Sequence, residues 1–297
     1  MRWSMLAGAA LATVGTGGSR GTVGTDECRV AQPPRDLPAE VRESSGLARG
    51  RAANLFWTHN DAGNEPVLYA VDTAGRLAGK VRVEGAKLVD WEDIGSGPCA
   101  SGHCLYIGDI GDNGAKRESI TVYVVPEPAA SATSAKASAL HLRYPDGPRD
   151  AEALFVLPSG DLYIVTKGRE SSIELYRAAN AARKAGSTAT LERVREIASE
   201  PKNERDRVTS AAASPDGRWV VIRTYRELHI YPAAALTGAG KVSPVTTSLA
   251  ALGEKQGEAV ALANDGTVWL SSEGSKKSRA QLSRMSCALG AASARAG

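Results

Sequence analysis

The stretch RDAEALFVLPSGDLYIVTKGRE, residues 149–170, decides the fold. Counted from Glu152, a glycine stands eight residues on, at Gly160, and the middle of a second apolar run twelve on, at Ile164. The Pro-Ser-Gly between the two runs supplies residues able to take turn dihedrals, so the segment reads as strand, turn, strand. The same offsets recur in RVTSAAASPDGRWVVIRTYRE, from Thr209 to Gly217 and Val221, and in GEAVALANDGTVWLSSEG, from Glu258 to Gly266 and Leu270. Three matches to one spacing mark an internal repeat.

Two looser copies precede these. Ser45 in ESSGLARGRAANLFWTHND reaches Trp57 at twelve. Glu92 reaches Ile107 at fifteen, so the Cys99–Cys104 hairpin reads as a three-residue insertion. Third strands follow at PVLYAVDT, SITVYVVPEP, SIELYRAA, ELHIYPAA and AQLSRMSC, and fourth strands at GKVRVEGA, ALHLRYPD, TLERVREIA and SPVTTSLAAL. A four-stranded antiparallel unit repeated about an axis is a β-propeller, whose closure leaves only short sheet edges. The last copy lacks a fourth strand, while CRVAQPPRDLPAEVRE ahead of the first copy is unassigned. The expected fold is therefore all-β: a propeller of five four-stranded blades, closed by the N- and C-terminal strands. A six-bladed ring with one degenerate copy is the alternative. LYRAANAARKAG is the one segment with helical character, and PAASATSAKASA (128–139) reads as a low-complexity surface loop.

A chain of 297 residues with 42% hydrophobic content can bury a large core, assigned here to one domain over 26–290. Its net charge of +3, from 36 basic and 33 acidic residues, comes without a basic stripe and argues against a nucleic-acid binder. The start, MRWSMLAGAALATVGTGG, places one arginine before a short apolar run, the pattern of a secretory signal peptide. Residues 1–25 are read as signal peptide and disordered start, and 291–297 as a disordered tail. No apolar run reaches the length of a membrane span, and the start of the chain points to a protein secreted or in the periplasm or cell envelope, expected to be a monomer. Four cysteines favour two bridges, Cys99–Cys104 and, stapling the ring closure, Cys28–Cys287. A zinc site on Cys99, His103 and Cys104 would lack its second half.

In a propeller the first strand of each blade lines the central channel, so equivalent positions become a ring. That ring is Ser45, Glu92, Glu152, Thr209 and Glu258. Two residues earlier stand Glu43, Asp90, Asp150, Arg207 and Gln256, and residues two apart on a strand share a face. Asp93 should then point the other way, into the blade packing or its turn. Converging carboxylates repel one another and require a metal or the basic groups Arg207, Arg223, Lys167 and Arg149. Oxygen donors without thiolate suit Ca2+. Candidate metal ligands are Glu92, Glu152, Glu258, Asp90 and Asp150; His59 or Asp109 is the candidate base. Asn60, Asp61, Lys167, Arg223, Tyr225 and Glu273, at the ends of second strands, are candidate ligand-binding residues. The competing reading pairs these acids with the arginines or uses them to cap strand-end amides. GDIGDNG (108–114) has the residue types of a Ca2+ loop but not the spacing or closing glutamate of an EF-hand. No nucleophile elbow, Walker loop or zinc-protease helix motif occurs.

At ESSGLA, DWEDIG…LYIGDIGDN, YPDGPRDAEALFV…GDLYIVTK and GEAVAL, over about residues 40–275, the chain resembles a group of secreted bacterial propeller proteins of largely undefined activity. More distantly, its glutamate-lined first strands are similar to those of phytase-like and lactonase-like propeller hydrolases. There, carboxylates around the channel hold Ca2+, and the substrate's phosphate or carbonyl sits on the metal. The resemblance implies metal-assisted hydrolysis of a phosphate ester or lactone. The alternative is a non-catalytic propeller that binds a glycan, peptide or envelope protein through its mouth loops.

Overall fold

Along Ala151–Val156, a first strand, successive side chains enter different cores. Leu154 packs with Tyr106 and Ile164, while Phe155 packs with Tyr163 and Val220. This alternation, with both faces apolar, is what a strand buried between two neighbouring sheets requires. The computed structural model describes Met1 and residues 28–182 and 187–289, and these form a five-bladed β-propeller. The segments read as signal peptide and terminal tail lie outside the described residues, apart from Met1.

Blade one runs Ser44–Arg49, Leu55–Asn60, Val67–Asp72, Leu77–Glu84, and blade two Trp91–Cys99, Gly102–Asp109, Ile120–Pro126, Ser138–Arg143. Blade three is Ala151–Val156, Leu162–Thr166, Ile173–Ala178, Glu192–Ala198, and blade four Val208–Ala213, Trp219–Thr224, Glu227–Pro232, Val245–Ser248. Blade five takes Gly257–Leu262, Thr267–Ser272 and Gln281–Ser286 from the end of the chain and its outer strand, Arg29–Asp36, from the start. That outer strand pairs antiparallel with Gln281–Ser286, and the Cys28–Cys287 disulfide fastens the seam. Five apolar clusters, one between each pair of neighbouring blades, make up the core.

Two expectations are corrected. Residues 128–139 are not a free surface loop: Ser134–Lys136 adds in parallel to the outer strand of blade one. Their small side chains allow this, since the backbone at Ala130 lies so close to Gly79 that any Cβ there would overlap it. Alanines 130, 132, 135, 137 and 139 pack onto the core between blades one and two. Thr188–Thr190, from blade three, adds to blade two in the same way, so each clasp ties a blade to its predecessor at the rim. The expected helix at LYRAANAARKAG is, in its described part, the strand Ile173–Ala178 and a short 3-10 turn, because Leu175 and Tyr176 are claimed by the cores on either side. The α-helix among the described residues is Ala233–Thr237. No helix of the described residues is long and apolar enough to cross a membrane. The two disulfides fit an oxidising, extracytoplasmic setting.

Candidate functional site

In every blade the pairing of first and second strands slips at the same place. Trp91 faces Asp109 and Asp93 faces Gly108, so Glu92 is left as the extra residue of a β-bulge. Ser45, Glu152, Thr209 and Glu258 occupy the matching slips of the other blades. A bulge bends its strand and re-aims a side chain. The ring read from the repeat is thus a ring of five bulges, all of them buried at the same end of the channel. The residue after the second strand closes onto the residue two before the bulge. Asp61, Lys167 and Glu273 donate their backbone N–H to the carbonyls of Glu43, Asp150 and Gln256 at 3.1, 3.0 and 2.9 Å. Strand-end side chains are brought over the ring in this way.

On one side of the mouth, Asp61 from blade one and Asp90 and Glu92 from blade two each offer an oxygen within 4.8 Å of the others. None of the three has an ion-pair partner among the described residues. The nearby cations are taken: Arg117 by Asp109 at 2.9 Å, Arg169 by Asp150 at 3.3 Å, and Lys167 by Glu152. Burial, then the surrounding carboxylates, raises the pKa of Asp90 and raises that of Glu92 well above the ordinary glutamate value. Gly111 keeps this space open, for a Cβ there would overlap the carboxylates of both Glu92 and Asp90. An all-oxygen cluster of excess negative charge can hold a hard divalent cation.

Blades three, four and five supply the other side. Glu152 is ion-paired to Lys167, and burial still pushes its pKa up to about 7. Burial opposes the charge on Lys167, but Glu152, Glu92 and Asp150 outweigh it and raise its pKa. Burial, with Glu152 and Glu273 beside it, lifts Glu258 to about 8; burial, with Asp61 and Glu43, lifts Glu273 to about 7. Tyr225 is raised by burial and by the same acids.

These acids hold protons more tightly in the folded chain than an exposed glutamate does. Their contribution to stability is complete below the unfolded glutamate pKa and is lost as pH rises through about 7 to 8. In chelator, the Tm is expected to fall between about pH 5 and pH 8.5, and Glu258→Gln to flatten that fall. A Tm that rises over this range would contradict the placement of these groups.

Other candidates are placed differently. His59 is fully buried, its ring edge-on to Trp91 at 5.5 Å and its Nδ1 3.1 Å from the Asn60 carbonyl, and burial lowers its pKa. Asn60 accepts the N–H groups of Arg42 and Glu43 and donates to the Glu40 carbonyl. Asp109 accepts Val89 and Asp90 N–H besides pairing with Arg117, so it shapes the loop that presents Asp90. Asp150 accepts the Asp112 N–H at 3.0 Å. Arg223 is fully buried: it pairs with Glu254 and donates to the Ala259 and Ser271 carbonyls at 2.7 and 3.0 Å, joining blades four and five. Gly257 is the residue that leaves room for it.

Asp93 is not turned into the blade packing of its own sheet. The bulge at Glu92 shifts the alternation, and the Asp93 carboxylate crosses the channel. Its Oδ1 accepts from Ile94 N–H at 2.9 Å and Ser210 Oγ at 3.1 Å; its Oδ2 accepts from Leu154 N–H at 3.0 Å and Ala211 N–H at 3.1 Å. Ser210 Oγ in turn accepts the Val260 N–H at 3.1 Å. Blade one approaches from the opposite side through Gly46, where a Cβ would stand 2.9 Å from Asp93 Cα. Four donors suit a carboxylate, and burial opposes its charge. Asp93 and Ser210 have no exposure, so they close the waist of the channel and make the acidic mouth a cup.

No protein-family model and no curated protein sequence matches the chain. Among solved structures it is similar to the PQQ-bound form of aldose sugar dehydrogenase from Streptomyces coelicolor, with 12% identity and a TM-score of 0.53 over 88% of this chain and 98% of that one. It is also similar to the apo form of the soluble aldose sugar dehydrogenase from Escherichia coli, with 12% identity and a TM-score of 0.51 over 85% and 99%. At this identity the likeness shows the propeller fold and nothing of the chemistry.

Proposed function

We propose that the acidic cup binds one divalent cation, Ca2+, through Asp61, Asp90 and Glu92, and that the loaded protein hydrolyses a neutral ester, a lactone in preference to a phosphate ester. The observation that carries this reading is the convergence of the three carboxylates within 4.8 Å, none of them at ion-pair distance from a basic side chain among the described residues. Oxygen-only donors favour Ca2+ over softer metals. The cation would polarise a carbonyl and lower the pKa of bound water.

The chain's own groups favour an uncharged substrate. Glu152 and Glu273 act on Glu258, and Asp61, Glu43 and Glu152 on Glu273, so an anionic substrate would meet repulsion that grows as these acids ionise. The same charge speaks against PQQ, itself a tricarboxylate, because Lys167 and Arg223 are already engaged by Glu152 and Glu254. Glu273 is partly exposed, feels Asp61 and titrates at about 7, which suits a general base at neutral pH. Its place at the mouth favours it over His59 and Asp109, which are buried and engaged.

The test is hydrolysis of a panel of lactones and an aryl phosphate, in Ca2+ and in EDTA. Lactone turnover is expected in Ca2+ only, with Glu273→Gln lowering kcat about 100-fold while Ca2+ binding persists. Turnover undiminished by EDTA would defeat the Ca2+-assisted reading, and its complete absence in a Ca2+-loaded protein the hydrolase reading.

A further inference from the structure

We infer that the opposite end of the channel is a second, separate binding site, shaped for a small amphipathic carboxylate with an apolar body. Below the waist closed by Asp93 and Ser210, the hairpin ends of the first and second strands surround a cavity of about 610 Å3. That volume lies within the range of small-molecule sites.

One repeat column borders the cavity. Three residues past the bulge stand Ala48, Gly95, Phe155, Ala212 and Ala261, all lining it, and four of these five have nothing beyond a Cβ. At Gly95 a Cβ would already lie 2.9 Å from Leu154 Cδ1, so the blade behind leaves no room for a side chain. Pro98, Pro158 and Pro215, all exposed, give it apolar walls. Such walls favour an apolar body.

The lining charges are basic. Arg49, Arg51 and His103 border the cavity. Glu127 binds His103 at 2.9 Å and lies 4.0 Å from Arg51. Arg49 has no carboxylate at ion-pair distance among the described residues; Asp265 acts on it only from farther away. Its guanidinium lies 5.9 Å from the Phe56 ring centroid, partly desolvated. A guanidinium set on apolar walls is a fork for a carboxylate. The acidic cup repels the same anion, so the two ends of the channel sort ligands by charge.

Decanoate and decanol, titrated calorimetrically into the full chain, separate the two contributions. One decanoate per chain is expected. Arg49→Gln should weaken decanoate about tenfold or more while leaving decanol within about twofold. Either no stoichiometric decanoate binding or decanoate binding indifferent to Arg49→Gln would overturn the proposal.

Discussion

Asp93→Asn is expected to lower the unfolding free energy by about 3 to 5 kcal/mol, read from urea midpoints at constant m. The exchange preserves shape and removes one acceptor oxygen. Turned one way, the new amide NH2 meets the N–H groups of Leu154 and Ala211; turned the other, it meets the N–H of Ile94 and the hydroxyl of Ser210. Either orientation leaves buried donors without an acceptor, at about 1–3 kcal/mol each. Ser210 can rotate but must still receive Val260 N–H, so the damage reaches the first strand of blade five. A loss below about 1 kcal/mol would mean that the waist is not held by this carboxylate.

Opening the ring seam should cost as much. Cys28–Cys287 spans 259 residues, and the chain-entropy model gives about 5.5 kcal/mol for a loop of that length. Cys99–Cys104 spans 5 residues, for which the same model gives about 2 kcal/mol. The double variant Cys28→Ser/Cys287→Ser is therefore expected to melt well below Cys99→Ser/Cys104→Ser by calorimetry. The seam has a further weakness: the outer strand Arg29–Asp36 is mostly exposed and carries register shifts at Val30/Gln32 and Gln32/Arg35, so its pairing with blade five buries little side-chain surface. Equal losses from the two variants would contradict this account of closure.

The blades were legible because a repeat displays one constraint several times. Gly160, Gly217 and Gly266 all adopt positive φ in their hairpin turns, so one spacing carried both turn and strands. Even the closing strand followed, from a last copy one strand short. The ring of Ser45, Glu92, Glu152, Thr209 and Glu258 was legible for the same reason. The bulge beneath it was not. Strand alternation placed Asp93 on the wrong side, and only the slip at Glu92 carries it across the channel. Strand-end polarity also misled: Arg223 and His59 look like mouth residues in sequence. They are instead buried between blades, where Gly257 leaves room for the guanidinium and Trp91 packs against the imidazole. The grouping of Asp61 with Asp90 and Glu92 depends on how blade one abuts blade two, a relation between copies that no single copy contains. The alanine-rich segment 128–139 read as a loop because composition does not reveal that Gly79 offers it a place to lie.

Calcium titration by calorimetry, in chelator-treated wild type and in Asp90→Asn and Glu92→Gln, tests the cation cup most directly. One Ca2+ per chain is expected, bound more tightly at pH 8 than at about pH 6, because protons compete for the same raised carboxylates. Each substitution should weaken it by about tenfold or more while the fold persists. Wild type that binds no Ca2+, or binding untouched by both substitutions, would contradict the account.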